Sequence, residues 1–156
     1  MLSYWVHMRT LTPETLPRPE DCNCLAVRQA ARHVTQFYDR FLAPAGLRTT
    51  QFSILSKLQR LGPLTINALA AEMVIERTAL GRTVRPLVRE RLVEVVRNCA
   101  DRRCKELRLT ASGRERLRDG VKAWLRAQHR FAELFGAERT AELRLLLRTI
   151  AASELE

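Results

Sequence analysis

Asn98 to Thr110 reads NCADRRCKELRLT. At its C-terminal end Leu107 and Leu109 alternate with Glu106 and Arg108, the period of two expected of a strand with one buried face. Leu92 to Val96 supplies a second apolar run upstream. The charge-rich piece between the two runs is therefore the tip of a β-hairpin. Arg102, Arg103 and Lys105 lie on or beside that tip, and Asp101 stands two residues before Arg103. At that spacing a carboxylate can hold a guanidinium in one direction through charge-assisted hydrogen bonds. A pre-aimed cation on a projecting hairpin suits a DNA minor groove, whose negative potential attracts arginine. Taken alone, the same residues also describe a solvated surface turn.

The segment before the hairpin bears on that choice. LTINALAAEM, Leu64 to Met73, places Ala68, Leu69, Ala71 and Met73 near one helical face, with Thr65 as its N-cap. After a connection short enough for a tight corner only, VIERTALGRTVRPLVRERL carries Leu80, Val84, Leu87 and Val88 as one apolar stripe. Its other face holds Arg77, Thr78, Gly81, Arg82, Arg85 and Arg89. A short helix, a tight turn and a second helix with an arginine and threonine outer face are the parts of a helix-turn-helix, the second helix being the major-groove reader. Arginine on such a face pairs with guanine or contacts phosphate. Pro86 falls inside the second helix, and we expect it to kink that helix near its middle. The order helix, turn, basic helix, basic hairpin predicts a mainly α fold with a small β-hairpin, a winged helix-turn-helix.

The run Leu64 to Gly113 resembles the DNA-binding module of the multiple-antibiotic-resistance regulator (MarR) family. The residues that carry the likeness are Leu64-Thr65, Arg85-Pro86-Leu87, Asp101-x-Arg103-x-Lys105 and Leu109-Thr110-Ala111-Ser112-Gly113. CLAVRQAARHVTQFYDRFLAPAGL is similar to the family's first helix, so the likeness covers roughly residues 22–150. It implies a homodimeric transcriptional regulator, more often a repressor, joined through its terminal helices. It also implies release from DNA by a small, often phenolic or anionic effector. Arg28, Arg32, His33, Tyr38 and Phe52 are the residues we expect to line the space for it.

Composition agrees. The chain has 27 basic and 17 acidic residues among 156, a formal charge of +10 that favours a polyanionic partner. Its length fits one domain with a proper core. We expect a flexible N-terminal arm over residues 1–20, where Pro13, Pro17 and Pro19 interrupt any period, and a single domain over residues 21–156. Within it the winged helix-turn-helix spans about 47–110, and the dimerisation helices span about 21–43 and 111–154. No apolar stretch approaches the roughly 18 residues of a membrane span, and MLSYWVHM lacks the features of a secretory signal. The expectation is a cytoplasmic protein without membrane contact.

The remaining segments read as helices. We expect Asp21 to cap the first, which carries Val27, Ala30, Ala31, Val34, Phe37, Tyr38 and Phe41 and stops at Ala43-Pro44. Thr49 or Thr50 is the expected cap of the next, with Phe52, Leu55, Leu58 and Leu61. Thr110 opens a long helix that Gly136 breaks, and a final helix shows Leu143, Leu146, Leu147 and Ile150. The first helix and the last two carry apolar stripes that the small winged module is too small to cover. Pairing them across two subunits would bury them and present two recognition helices together.

The four cysteines read first as reduced small hydrophobes. Cys22-x-Cys24 and Cys99-x4-Cys104 lack zinc-ligand spacing, so no metal or cofactor is expected. Cys24 falls in the first turn of the first helix, where unpaired amides attract an anionic sulfur. It stands eight residues before Arg32, a spacing found in the hydroperoxide-sensing branch of the family, but Val27-Arg28 replaces that branch's leucine–tyrosine step. Redox sensing through Cys24, with Cys22 as the resolving thiol, thus stands as an alternative. His33 and His129 read as structural or pocket-lining, and His7 carries no signal. No phosphate loop, zinc-protease helix or nucleophile elbow occurs, which disfavours an enzyme. A winged helix used for protein contacts is disfavoured by the outward arginines, since interface cores are depleted in charge.

Overall fold

The computed structural model describes residues 18–97 and 105–153. The chain divides into two compact units, Met1–Gln36 and Phe37–Glu156, with the boundary inside the first helix. In the first unit a 3-10 turn, Pro19–Asp21, leads into α1 (Asn23–Leu42). Asp21 is therefore not the cap of α1, contrary to expectation. The fixed φ of Pro19 starts a separate turn, closed by the Cys22 N–H on the Pro19 carbonyl at 3.1 Å. Cys22 then takes the position before the helix, its Sγ accepting the Leu25 N–H at 3.4 Å.

In the second unit the end of α1 passes into a 3-10 turn at Ala43–Ala45, which Gly46 closes with φ +67°. The elements that follow are α2 (Thr49–Leu61), β1 (Leu64–Thr65), α3 (Ile66–Met73), α4 (Arg77–Arg89), β2 (Val93–Arg97), β3 (Lys105–Leu109), α5 (Ala111–Phe135) and α6 (Ala137–Ala152). Neither Thr49 nor Thr50 caps α2; Arg48 stands at that position. Thr49 is the first helical residue because a carboxylate from elsewhere supplies the acceptor. Asp39 Oδ1 receives both the Thr49 N–H and the Thr49 hydroxyl at 2.7 Å. The Gln51 side chain in turn accepts the Arg48 N–H at 2.9 Å.

Among the described residues the sheet has three antiparallel strands in the order β1-β3-β2, so the expected two-stranded hairpin gains a partner. Leu107 is the shared register point, opposite Leu64 on one side and Val95 on the other. Leu107 and Leu109 turn inward, as their alternation predicts. They join a core in which Leu42, Ile54, Leu55, Leu69, Leu80, Leu87 and Val93 are fully buried. Burying each such side chain stabilises the fold by about 1.5–3 kcal/mol.

The sheet is joined to α5 by a tight corner. Thr110 caps α5 by accepting the Gly113 N–H at 2.9 Å, and its own hydroxyl donates to the Arg91 carbonyl at 2.7 Å. The Thr110 N–H bonds the Leu92 carbonyl at 3.1 Å. A Cβ at Gly113 would overlap that same carbonyl oxygen, so the position admits glycine only. Farther along α5, Phe131 packs edge-on against Phe37 and, in tilted contact, against Phe135. Gly136, at φ +85°, separates α5 from α6. On α6, Leu143, Leu145, Leu146, Leu147 and Ile150 are between 41% and 68% exposed.

Candidate nucleic-acid interface

The interface is built on α3, the corner after it, and α4. Thr65 opens α3 by accepting the Ala68 N–H at 3.1 Å, as read from the sequence. Lys57 of α2 holds the outer side of α3 through Glu72 at 2.8 Å. The corner is made at Val74, which is left-handed at φ +50° and ψ +47°. Its N–H bonds Ala71 O at 3.1 Å and the next N–H, from Ile75, reaches back to Ala70 O at 3.0 Å. This is a Schellman-type close, usually made by glycine.

Glu76 then caps α4, its Oε2 accepting the Ala79 N–H at 3.0 Å. That hydrogen bond is the largest of the causes that hold the Glu76 carboxyl below its ordinary range. Leu80, Val84 and Leu87 anchor α4 in the core, which turns Arg77, Thr78, Arg82, Arg85 and Arg89 outward. Arg77, Thr78, Arg82 and Arg85, the four reading residues expected on this helix, line one surface groove of about 410 Å³ with Ile66 and Gly81. Pro86 lies three residues from the C-terminal end of α4, not near its middle. The helix continues through it to Arg89 because Leu87, beyond the proline, is fully buried.

Lys105 begins β3 and is exposed opposite Arg97 of β2. Arg108 and Glu94 pair across the same two strands at 3.0 Å. Asp101, Arg102 and Arg103, with Cys99 and Cys104, lie outside the described residues. Glu76 and Arg97 were not singled out from the sequence. The signal for Glu76 was its place just before the apolar stripe; for Arg97 it was the strand register.

The expected effector residues divide between the two units. Arg28, Arg32 and His33 lie on the part of α1 in the first unit, where Arg32 Nε donates to the Arg28 carbonyl at 3.3 Å. In the second unit Tyr38 donates its hydroxyl to Gln128 Oε1 at 3.0 Å, and burial raises its pKa, opposed by the charge of Arg144. Phe52 is a core residue stacked on Trp124, ring centroids 6.1 Å apart. Cys22 and Cys24 are free and exposed. Among the described residues no three His, Cys, Asp or Glu side chains group as metal ligands, and no helix is long and apolar enough to cross a membrane.

This architecture is shared with known proteins. Residues 47–105 match the MarR family model. The M. tuberculosis transcriptional regulator MosR is 34% identical, with a TM-score of 0.72 over 86% of this chain and 98% of that one. Its structure in complex with DNA matches at 36% identity and TM-score 0.72, covering 86% and 100%. The transcriptional repressor CouR, bound to a 23-mer DNA duplex, is 28% identical with a TM-score of 0.77, covering 85% and 94%. No curated relative matches by sequence.

Proposed function

The chain belongs to the MarR family of transcriptional regulators, and from that premise we propose a cytoplasmic, homodimeric repressor that binds a pseudo-palindromic operator and is released by a small-molecule effector. The observation that carries this reading is the outward row Arg77, Thr78, Arg82 and Arg85, gathered along one groove of a helix anchored in the core. The first turns of a recognition helix reach base edges, and arginines farther along it position on phosphate. Lys105 adds a phosphate contact from the wing, Arg103, with Asp101 as tether, is assigned to the minor groove, and Arg102 is a further DNA contact of the wing. DNA complexes of the relatives MosR and CouR support duplex DNA as the partner. The exposed leucines of α6 support a second copy of the chain, which would set two half-sites about one helical turn apart.

The test is duplex binding at a series of salt concentrations. Each neutralised phosphate contributes about −0.9 to the slope of log affinity against log salt, so several contacts per subunit give a steep decline. A slope near zero would remove DNA as the main partner.

A second reading, thiol-based sensing, is favoured by one contact: the Cys22 sulfur serves as acceptor for the Leu25 N–H in the first turn of α1, two residues from Cys24. The Cys24 thiolate would attack an organic hydroperoxide, forming a sulfenic acid and releasing the alcohol. The Cys22 thiolate would then attack that sulfur, closing a disulfide as hydroxide leaves as water. A bridge between positions that point apart is strained and would unwind the turn that the Cys22 contact holds. Operator release by hydroperoxide, reversed by reductant and absent in Cys24→Ser, supports this reading. Equal behaviour of the two proteins leaves Cys24 without a sensing role and the effector as the signal.

A further inference from the structure

We propose that Glu76 is a specificity-determining residue that selects cytosine at one position of each DNA half-site. This goes beyond the assignment of a basic reading helix and rests on the DNA-binding reading above. From Glu76 to Arg89 the outer side of α4 carries Arg77, Arg82, Arg85 and Arg89, and Glu76 is the sole acid. Arginines attract any duplex, and where they read bases they read the guanine acceptors O6 and N7. A carboxylate at the head of that helix is repelled by phosphate and by every acceptor of the groove. It is tolerated at an interface only where a donor meets it.

The position of Glu76 lets it meet one. It stands at the start of the recognition helix, the end that enters the groove first. The Ala79 amide takes one carboxylate oxygen at 3.0 Å and thereby fixes the direction of the side chain. The Thr78 hydroxyl and amide also donate to the carboxylate, and with the Ala79 amide they favour the ionised form, whose remaining lone pairs are acceptors only. The donors of the major groove are adenine N6 and cytosine N4. Adenine carries the N7 lone pair beside its amine, which repels the carboxylate, whereas cytosine presents the amine alone. Cytosine is therefore the base selected.

The cap contact makes the test sharp. In Glu76→Gln the amide oxygen can keep the Ala79 bond, which leaves the NH2 as the outward group. An acceptor becomes a donor on an unchanged helix. The experiment is selection from a pool of duplexes randomised over both half-sites, with sequencing of bound DNA, for wild type, Glu76→Gln and Glu76→Ala. Wild type should prefer cytosine roughly tenfold at one position per half-site, the scale of one base contact. Glu76→Gln should move that preference to guanine or thymine, and Glu76→Ala should reduce it to about twofold or less. A role confined to capping would leave the base profile unmoved and change thermal stability alone. Superimposable profiles in all three proteins overturn the proposal. Failure of the wild type to retain any duplex, even at low salt, overturns the DNA-binding reading instead.

Discussion

Arg82 and Arg85 are one helical turn apart on the outer face of α4, and the core anchors Leu80, Val84 and Leu87 fix where they point. Truncating either to alanine leaves those anchors in place. Each variant should keep the wild-type circular dichroism spectrum while operator binding weakens by about 1–3 kcal/mol, the scale of one groove contact. A loss that varies with sequence marks a base reader, and a uniform loss marks a phosphate contact. Val74 is the opposite case, a residue whose cost is in the backbone. A β-branched side chain at φ +50° is strained by about 1–2 kcal/mol, and the side chain, 76% exposed, recovers little of that by burial. Val74→Gly should therefore raise stability by about 1 kcal/mol in denaturant melts, after the entropy that glycine adds to the unfolded chain. No gain would mean that the exposed valine makes a contact beyond this chain.

At the scale of elements, the sequence was most legible where a local cap and a core stripe agree. Thr65 with α3, and Thr110 with α5, were both placed correctly because a threonine side chain and its own N–H target lie three residues apart. The start of α2 was misplaced because its acceptor, Asp39, comes from ten residues upstream, and no local pattern encodes that contact. β1 escaped notice because two residues cannot display a period. Glu76 escaped because glutamate ranks outside the preferred N-caps, which outweighed its place just before the apolar stripe. For Phe52, buried and stacked on Trp124, spacing in the sequence does not separate a core aromatic from one beside a cavity. The Thr110 corner offers a direct measurement. Thr110→Val keeps the volume but removes the cap of α5 and the hydroxyl bond to Arg91 O. It should cost about 1–2 kcal/mol, the range for losing a threonine cap. Urea unfolding measures it, and an unchanged midpoint would show the cap to be idle.

At the scale of the molecule, α6 exposes a series of large apolar side chains among the described residues. Leu145 is 68% exposed and Leu146 59%, with Leu143, Leu147 and Ile150 beside them in sequence. Patches of this kind mark association or aggregation. The protein should sediment as a dimer of twice 17.9 kDa at micromolar concentration. Removal of the chain after Gly136 should give monomer or precipitate. A full-length monomer that binds DNA tightly would overturn this arrangement. The other consequence concerns motion. The Leu92 carbonyl takes the Thr110 N–H, and a side chain at residue 113 would collide with it. The base of the wing and the first turn of α5 are thus welded at one peptide group. A tilt of α5 would therefore be carried through that peptide group into β2 and β3. The amides of Thr110 and Gly113 should accordingly show one common opening free energy in hydrogen exchange, opening as a single cooperative unit with the strands they clasp.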